Sequence, residues 1–386
     1  MCVLRKLIFV IVICAVVSCN KKSSNGVAIG TISTTSILSV SDTLNFIIPD
    51  TIPSPFSRSN LFWNSNEHYV GFLGDVNNNE IQIQVLDIEK SKWGNIKLNI
   101  EGQNQVYSMG SFGFNGDETI TYFASITPRI LNVDFDGKVL SNKEFSGKYL
   151  HAINNGVFNP NIMQTDSKIG FLSLEFLNMD KPENYEKARL FTIYNFETET
   201  VKHIIKHPQE FHDKAWSPND QGITSIYNEG KIILSFSKSH YLYVYDMQGL
   251  LQKQINVKVK GVEEATPLQK NNDAMGSMLK TEATGKYVSF IYDKWRNVYY
   301  RIGTFYDTPL FEPKNFEELS AKRNTLTYVI VTLNESLEVI GADYFNYFDT
   351  NINNGSYFVN KDGLHMNLRN SENENMISYV RLKLKH

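Results

Sequence analysis

The stretch Asp293-Lys294-Trp295-Arg296-Asn297-Val298-Tyr299-Tyr300-Arg301 is the densest grouping of aromatic and cationic side chains in the sequence. Alternation along a strand puts Tyr299 and Arg301 on one face and Tyr300 with Ile302 on the other. An arginine at a channel or blade end could hold a carboxylate through paired N–H donors, or a sugar ring edge, with Tyr299 and Tyr300 beside it. The competing arrangement is structural, with the guanidinium packed on neighbouring aromatic rings as a cation–π contact.

Three histidines, His203, His207 and His212, fall close together. On a helix, an i,i+4 histidine pair could bind zinc. Here Val201 to Ile205 reads as a strand and Pro208 ends it, so that geometry is not expected, and the glutamate of the zincin motif is missing. Asp134-x-Asp136-Gly137 has the start of a calcium loop, but Phe145 stands where the bidentate glutamate belongs. No Gly-x-Ser-x-Gly elbow and no Gly-x-x-x-x-Gly-Lys phosphate loop occurs. Ser217 sits in a loop whose usual job is a turn. No catalytic residue, metal ligand or cofactor is therefore expected.

These side chains must be positioned by strands. A two-strand unit recurs: a β-rich run, an Asp or Asn, a short polar turn, and a second β-rich run. It appears at Ile83 to Asp87 leading into Trp93, Leu131 to Val139, Phe191 to Asn195 leading into Val201, Tyr241 to Leu250, and Val329 to Val339. The Asp or Asn is expected to bond the turn's backbone amides, and Gly supplies positive φ where the turn needs it. The spacing, near fifty residues for the first four, points to a radial array, and period-2 alternation excludes a helical solenoid. An all-β, six-bladed β-propeller fits, each blade a four-stranded meander.

The fifth blade would run from Tyr287 to Phe345, with an insertion at 306–325 that holds one short helix. The sixth would use Ser356 to Val359, Leu364 to Leu368 and Ile377 to Leu384, closed by an N-terminal strand at Thr43 to Ile48. Such closure pairs both chain ends and removes an exposed edge. The longer gap before Asn334 leaves seven blades as the alternative.

The N-terminus reads as an address. Arg5 and Lys6 precede an apolar run from Leu7 to Val17, which ends in Val16-Val17-Ser18-Cys19. This resembles the bacterial lipobox and implies lipidation of Cys19. Residues 1–18 are then a signal peptide, 19–42 a lipidated tether and 43–386 one propeller domain. All three cysteines, Cys2, Cys14 and Cys19, lie in this leader region, which leaves the rest of the chain without disulfide or thiolate chemistry. Lys21 and Lys22 after the cysteine point to the periplasmic face of the outer membrane. Asp42-Thr43-Leu44 and Asp50-Thr51-Ile52 are similar to a short O-glycosylation motif of Bacteroidota.

Composition narrows the partners. Of 386 residues, 38 are Lys or Arg and 41 are Asp or Glu, a net charge of −3 that leaves no cationic excess for nucleic acid. Hydrophobic residues make up 42% and charged residues 20%, which excludes a disordered chain.

Four features carry a wider resemblance: the lipobox, the Trp216-Ser217-Pro218-Asn219-Asp220 loop, the hairpin series, and Val298-Tyr299-Tyr300-Arg301. On these the chain resembles the lipoproteins of Bacteroidota that carry a TolB-like six-bladed propeller, a family without assigned activity. The resemblance implies a propeller and no catalytic residues. The expected function is a membrane-anchored, non-catalytic module that binds a protein or carbohydrate at one end of the ring. Two alternatives stand beside it: a hydrolase or lyase acting on glycan or peptide, and a structural subunit of an envelope complex.

Overall fold

The computed structural model describes residues 28–29 and most of the chain from 35 to 385. Outside it lie 1–27, 30–34, 53–61, 100–105, 153–162, 176–180, 217–221, 268–275, 307–313, 347–351 and shorter stretches between them. The leader, Cys19 and Ser217 fall in these parts.

Strand β1 is Ala28–Ile29 and β2 is Leu38–Ile47. Blade 1 follows as β3 (Phe62–Ser65), β4 (Tyr69–Asn77), β5 (Glu80–Asp87) and β6 (Lys92–Asn99). Blade 2 is β7 (Gly110–Phe114), β8 (Thr119–Ala124), β9 (Arg129–Asp134) and β10 (Val139–Glu144). Blade 3 opens with a split strand, β11 (Leu150–Ala152) and β12 (Met163–Gln164), both paired with β13 (Lys168–Glu175). It continues through helix α1 (Glu183–Lys187) to β14 (Arg189–Asn195) and β15 (Thr200–Lys206). Blade 4 is β16 (Ile223–Asn228), β17 (Lys231–Phe236), β18 (Tyr241–Asp246) and β19 (Leu251–Asn256). Blade 5 is β20 (Lys286–Asp293), β21 (Val298–Tyr306), β22 (Leu326–Asn334) and β23 (Val339–Asn346), with α2 (Phe316–Ala321) between β21 and β22. Blade 6 is β24 (Ile352–Asn360), β25 (Gly363–Leu368) and β26 (Met376–Leu384), completed by β2 on the outer side of β26.

The six sheets form a β-propeller. First strands of neighbouring blades touch, β3 with β7, β16 with β20, β20 with β24 and β24 with β3, which puts them around the axis. The core consists of the blade-to-blade interfaces. One cluster joins blades 1 and 2, a second blades 2 and 3, a third blades 3 and 4, a fourth blades 4 and 5, and the largest unites blades 5, 6 and 1. Each sheet buries both faces, as the runs Leu326 to Leu333 and Ile81 to Leu86 show. The alternative of seven blades is overturned. The long gap before Asn334 is taken up by the connection 257–285 and by the insertion between β21 and β22.

The recurring Asp or Asn does what its chemistry allows. Asp87 Oδ1 accepts from Lys90 N, Asp134 from Asp136 and Lys138, Asn195 from Glu197 and Thr198, Asp246 from Gln248 and Leu250, and Asn334 from Glu338. Each acceptor holds its turn while a residue three or four positions on takes a left-handed conformation. Glycine fills that place at Gly249, with φ of 82°. A Cβ there would lie 2.8 Å from the Ile205 amide nitrogen, so the turn of blade 4 packs closely against blade 3.

Ring closure differs from the expected strand. The sequence points to Thr43 to Ile48, yet β2 begins at Leu38, within the 19–42 stretch that reads as tether. The reason is exposure. β2 is an outermost strand, and of its residues only Leu38 and Phe46 are buried, so Ser39, Ser41, Asp42 and Thr43 carry the polarity of a linker. Arg381 on β26 holds Asp42 through Nε and Nη2, and Ser378 Oγ donates to Asn45 at 2.7 Å.

The N-terminal arm is longer than a clasp. β1 pairs parallel with β19 on the outer edge of blade 4. The Thr35 carbonyl then accepts from Ala342 N at 3.4 Å, and Asp343 accepts from the Ile37 and Leu38 amides at 3.3 and 3.0 Å. The arm thus meets the outer strands of blades 4 and 5 in turn and then forms the outer strand of blade 6 itself. Thr43 and Thr51, of the two O-glycosylation-like triplets, are both exposed.

Candidate functional site

The two ends of the ring are unlike. At one end the described strands are joined by turns of no more than four residues, such as 88–91, 229–230 and 361–362. At the other run the connections 100–109, 176–188, 207–222, 257–285 and 307–325. Side chains with unusual chemistry gather at this long-connection end, around the turn 237–240 of blade 4.

Arg301 lies in the middle of that arrangement, and it is fully buried. It stands on the β21 face turned to blade 4. Nε donates to Ser235 Oγ at 3.0 Å, Nη1 to the His240 carbonyl at 3.2 Å, and Nη2 to the carbonyls of Ser239 and Phe236 at 2.7 and 3.3 Å. Its Cζ sits 3.4 Å from the Tyr287 ring centroid. Burial pulls its pKa down to about 10, and the nearby Tyr287 opposes the shift. The guanidinium has no exposed surface with which to meet a ligand. Its role is therefore the cation–π and carbonyl clamp, and the carboxylate- or sugar-binding role weighed for it is corrected on geometry.

Tyr299 and Tyr300 part company with it. Tyr299 stacks on Phe290, with centroids 5.6 Å apart, and its hydroxyl accepts from Asn228 Nδ2 at 2.8 Å near the tight-turn end. Tyr300 faces the opposite way and donates to Asp293 Oδ2 at 3.1 Å. Asp293 also accepts from Arg296 Nη1 at 2.6 Å, while Arg296 Nη2 reaches the Lys361 carbonyl at 2.7 Å and ties blade 5 to blade 6. Both phenols are buried, so neither forms a ligand surface with Arg301.

The turn 237–240 carries the groups that sequence reasoning missed. Lys238 is buried, and its Nζ donates to Gly285 O at 2.8 Å and to both oxygens of Thr284. Tyr287 N donates back to Ser237 O at 2.8 Å. Tyr287 Oη donates to Val257 O at 2.8 Å, which leaves it to accept from His240 Nδ1 at 3.2 Å. Burial and then the Arg301 charge push His240 down to about 4, so it is neutral near pH 7. A second chain runs outward: Ser239 Oγ lies 2.9 Å from Tyr243 Oη, and that hydroxyl donates to Glu210. Burial, opposed by a backbone amide and reinforced by Glu264, raises the Glu210 carboxyl above the usual range. Exposed Lys214 lies close by. Nothing in Phe236-Ser237-Lys238-Ser239-His240 marks these residues as buried. A short polar run is also how a solvated turn reads.

The three histidines singled out from sequence do not converge on one point. His203 Nδ1 meets Thr192 Oγ1 at 2.9 Å, and His212 Nε2 meets the His207 carbonyl at 3.0 Å. His207 is buried against Tyr185, Phe211 and Phe236, and burial takes it down to about 3. Among the described residues no three His, Cys, Asp or Glu side chains gather as a metal site would need. Trp216 is buried and donates Nε1 to the Phe211 carbonyl at 2.9 Å, so it anchors the connection between blades 3 and 4.

Residues 34–344 match the family described as Domain of unknown function (DUF4221). The chain belongs to this family. A crystal structure of a member of the family from Bacteroides vulgatus superposes with a TM-score of 0.71 at 21% identity, covering 90% of this chain and 98% of the other. A Bacteroides fragilis protein superposes with a TM-score of 0.53 at 10% identity, covering 93% and 98%. No curated protein matches the sequence. Among the described residues, no helix is long and apolar enough to cross a membrane.

Proposed function

We propose that this member of the family is a lipoprotein of the bacterial envelope, tethered at Cys19, whose propeller binds a protein or carbohydrate partner at the long-connection end of the ring without catalysis. The observation that carries the reading is the difference between the ends. One end consists of capped turns held close to the blades. The other presents long connections on a rigid scaffold, the usual division of labour in a binding propeller. Exposed Glu210 and Lys214 offer a polar rim there, with Glu210 held from behind by the buried Tyr243 hydroxyl, and Phe316 and Ile47 are exposed at the same end. These groups suit hydrogen bonding and surface contact. Among the described residues no nucleophile stands beside a general base that a carboxylate orients, the arrangement that supports acyl transfer.

Photo-crosslinking in cells tests the reading. A crosslinking amino acid at Lys214 or Phe316 should trap a discrete partner or labelled glycan. The same group at Gln248 or Lys361, on the tight-turn end, should not. Adducts confined to Gln248 and Lys361 would overturn the assignment.

A further inference from the structure

A polar atom buried without a partner is costly, because it has given up water and gained nothing in return. Four such atoms lie on the two faces that blades 6 and 1 turn to each other. Among the described residues Gln84 Oε1, Asn95 Oδ1, His365 Nε2 and Asn367 Oδ1 are buried and have no hydrogen-bond partner. Gln84 is 1% exposed, and His365 and Asn367 are 0% exposed. All four atoms are acceptors. Asn367 Nδ2 donates to Ser378 O at 3.3 Å and Asn95 Nδ2 to Gln82 Oε1 at 3.2 Å, so each oxygen is left on the free side of its amide. His365 Nδ1 lies 3.1 Å from Gly363 O and must carry the proton, which leaves Nε2 with a lone pair.

Strand register brings them together. Gln84 and Asn95 are direct neighbours on β5 and β6, and Phe72 stands on the other side of Gln84. Phe72 and Leu86 pack in the core shared with blades 5 and 6, whereas Leu73, Ile83 and Val85 pack against blade 2, so Gln84 and Asn95 face blade 6. On blade 6 the Tyr357 hydroxyl donates to Val288 O of blade 5. Phe358, one position on, therefore faces blade 1, together with its register partner His365 and with Asn367. The repeat of the ring sets their height. Arg301, fourth in β21, reaches Ser235, fifth in β17, at 3.0 Å across the seam of blades 5 and 4. Fourth in β4 is Phe72 and fifth in β25 is Asn367, so Asn367 comes against Phe72 and its neighbour Gln84.

We propose that this seam binds an alkali cation, sodium or potassium, through the side-chain oxygens of Gln84, Asn95 and Asn367, with His365 Nε2 beside them. A cation serves every acceptor at once, whereas a water molecule brings two hydrogens and an oxygen that needs donors of its own. Amide oxygens can replace the hydration shell of an alkali ion, as backbone carbonyls do in a potassium filter. The set carries no formal charge, and calcium or magnesium would call for carboxylates. Arg381, opposite His365 in register, has its charge met by Asp42. Blade 6 takes its outer strand from β2, so this is the seam at which the ring closes. A bound ion ties the blade built from both chain ends to blade 1.

Thermal unfolding of the purified protein in sodium chloride or potassium chloride, set against choline chloride at equal ionic strength, tests the site. Choline is too large to enter an interior seam. The unfolding midpoint should lie several degrees higher in at least one alkali salt and should climb with the logarithm of its concentration. Equal midpoints in all three salts would overturn the proposal and leave ordered water as the partner of these groups. Gln84→Leu and Asn367→Leu each remove one oxygen, and either should cut the alkali response to a small fraction. Asn228→Ala, which removes the bond to Tyr299 at the seam of blades 4 and 5, should keep it in full. An undiminished response in Gln84→Leu and Asn367→Leu would also overturn the site. The salt comparison uses the unaltered protein and decides the matter even where a variant does not fold.

Discussion

Arg301 on blade 5 and Tyr287 on the strand beside it form a stacked pair, the guanidinium carbon 3.4 Å from the ring centroid. The pair faces blade 4, and the guanidinium donates to three carbonyls of residues 236–240, of which His240 O also accepts from Val257 N at 2.7 Å and Phe236 O from Ser239 N at 3.5 Å. It replaces the hydrogen bonds that a longer, solvated loop would make to water.

Replacing Arg301 by Ala should destabilise the fold by about 3–5 kcal/mol, because it removes charge-assisted hydrogen bonds to three buried carbonyls and Ser235 Oγ and opens a cavity. Arg301→Lys should recover little of this, since an ammonium lacks the planar fork that reaches separate acceptors. Urea unfolding measures both. A loss below about 1 kcal/mol in Arg301→Ala would mean that the turn holds itself together.

Blades 2 and 3 share the smallest apolar cluster among the described residues, built on Phe123 and Phe171 with ring centroids 4.7 Å apart. Phe123→Ala should cost about 3–5 kcal/mol, and the ring should open first at this seam. Limited proteolysis should then cut between blades 2 and 3 before any other site. Unaltered cleavage sites would place the weak seam elsewhere.

Acid should loosen the ring through its imidazoles. Burial is the main cause of depression at His207, His240 and His365, to about 3, 4 and 4. An unfolded chain takes up these protons near pH 6.5, while the native state refuses them until about pH 4. Stability is thus full above pH 6.5 and falls as the pH drops from there to about 4. Glu210, raised in the fold, acts in the opposite sense. The melting temperature should decline between pH 7 and 5, and His207→Phe should flatten the slope. A slope unchanged in that variant would refute the role of His207.

The outer strand of blade 6 comes from residues 38–47, so closure depends on them. A chain starting at Ser36 should stay monomeric. One starting at Pro49 bares the edge of β26 and should self-associate, as uncovered edges do. Size-exclusion chromatography of the two distinguishes them, and a monomeric, cooperatively folded shorter chain would show that the ring closes without β2.

Much of this architecture could be read before any coordinates. Period-2 alternation, Asp246 or Asn334 at a strand end and a glycine such as Gly249 act within a few residues of one another. Turn geometry and strand pairing of neighbours are local, so five hairpins and the six blades were legible in order. The helix within the insertion was legible as well.

Contacts between blades were not. Arg301 meets residues more than sixty positions away, and whether its face turns to the axis, to blade 4 or to solvent depends on how rigid sheets stack. Lys238 and His240 read as a polar turn until Thr284, Tyr287 and Arg301 close over them. The arm from Ala28 to Ile47 looks like a linker because an outermost strand buries so few of its residues. Periodicity along a strand records which side chains share a face, and only packing decides what that face meets.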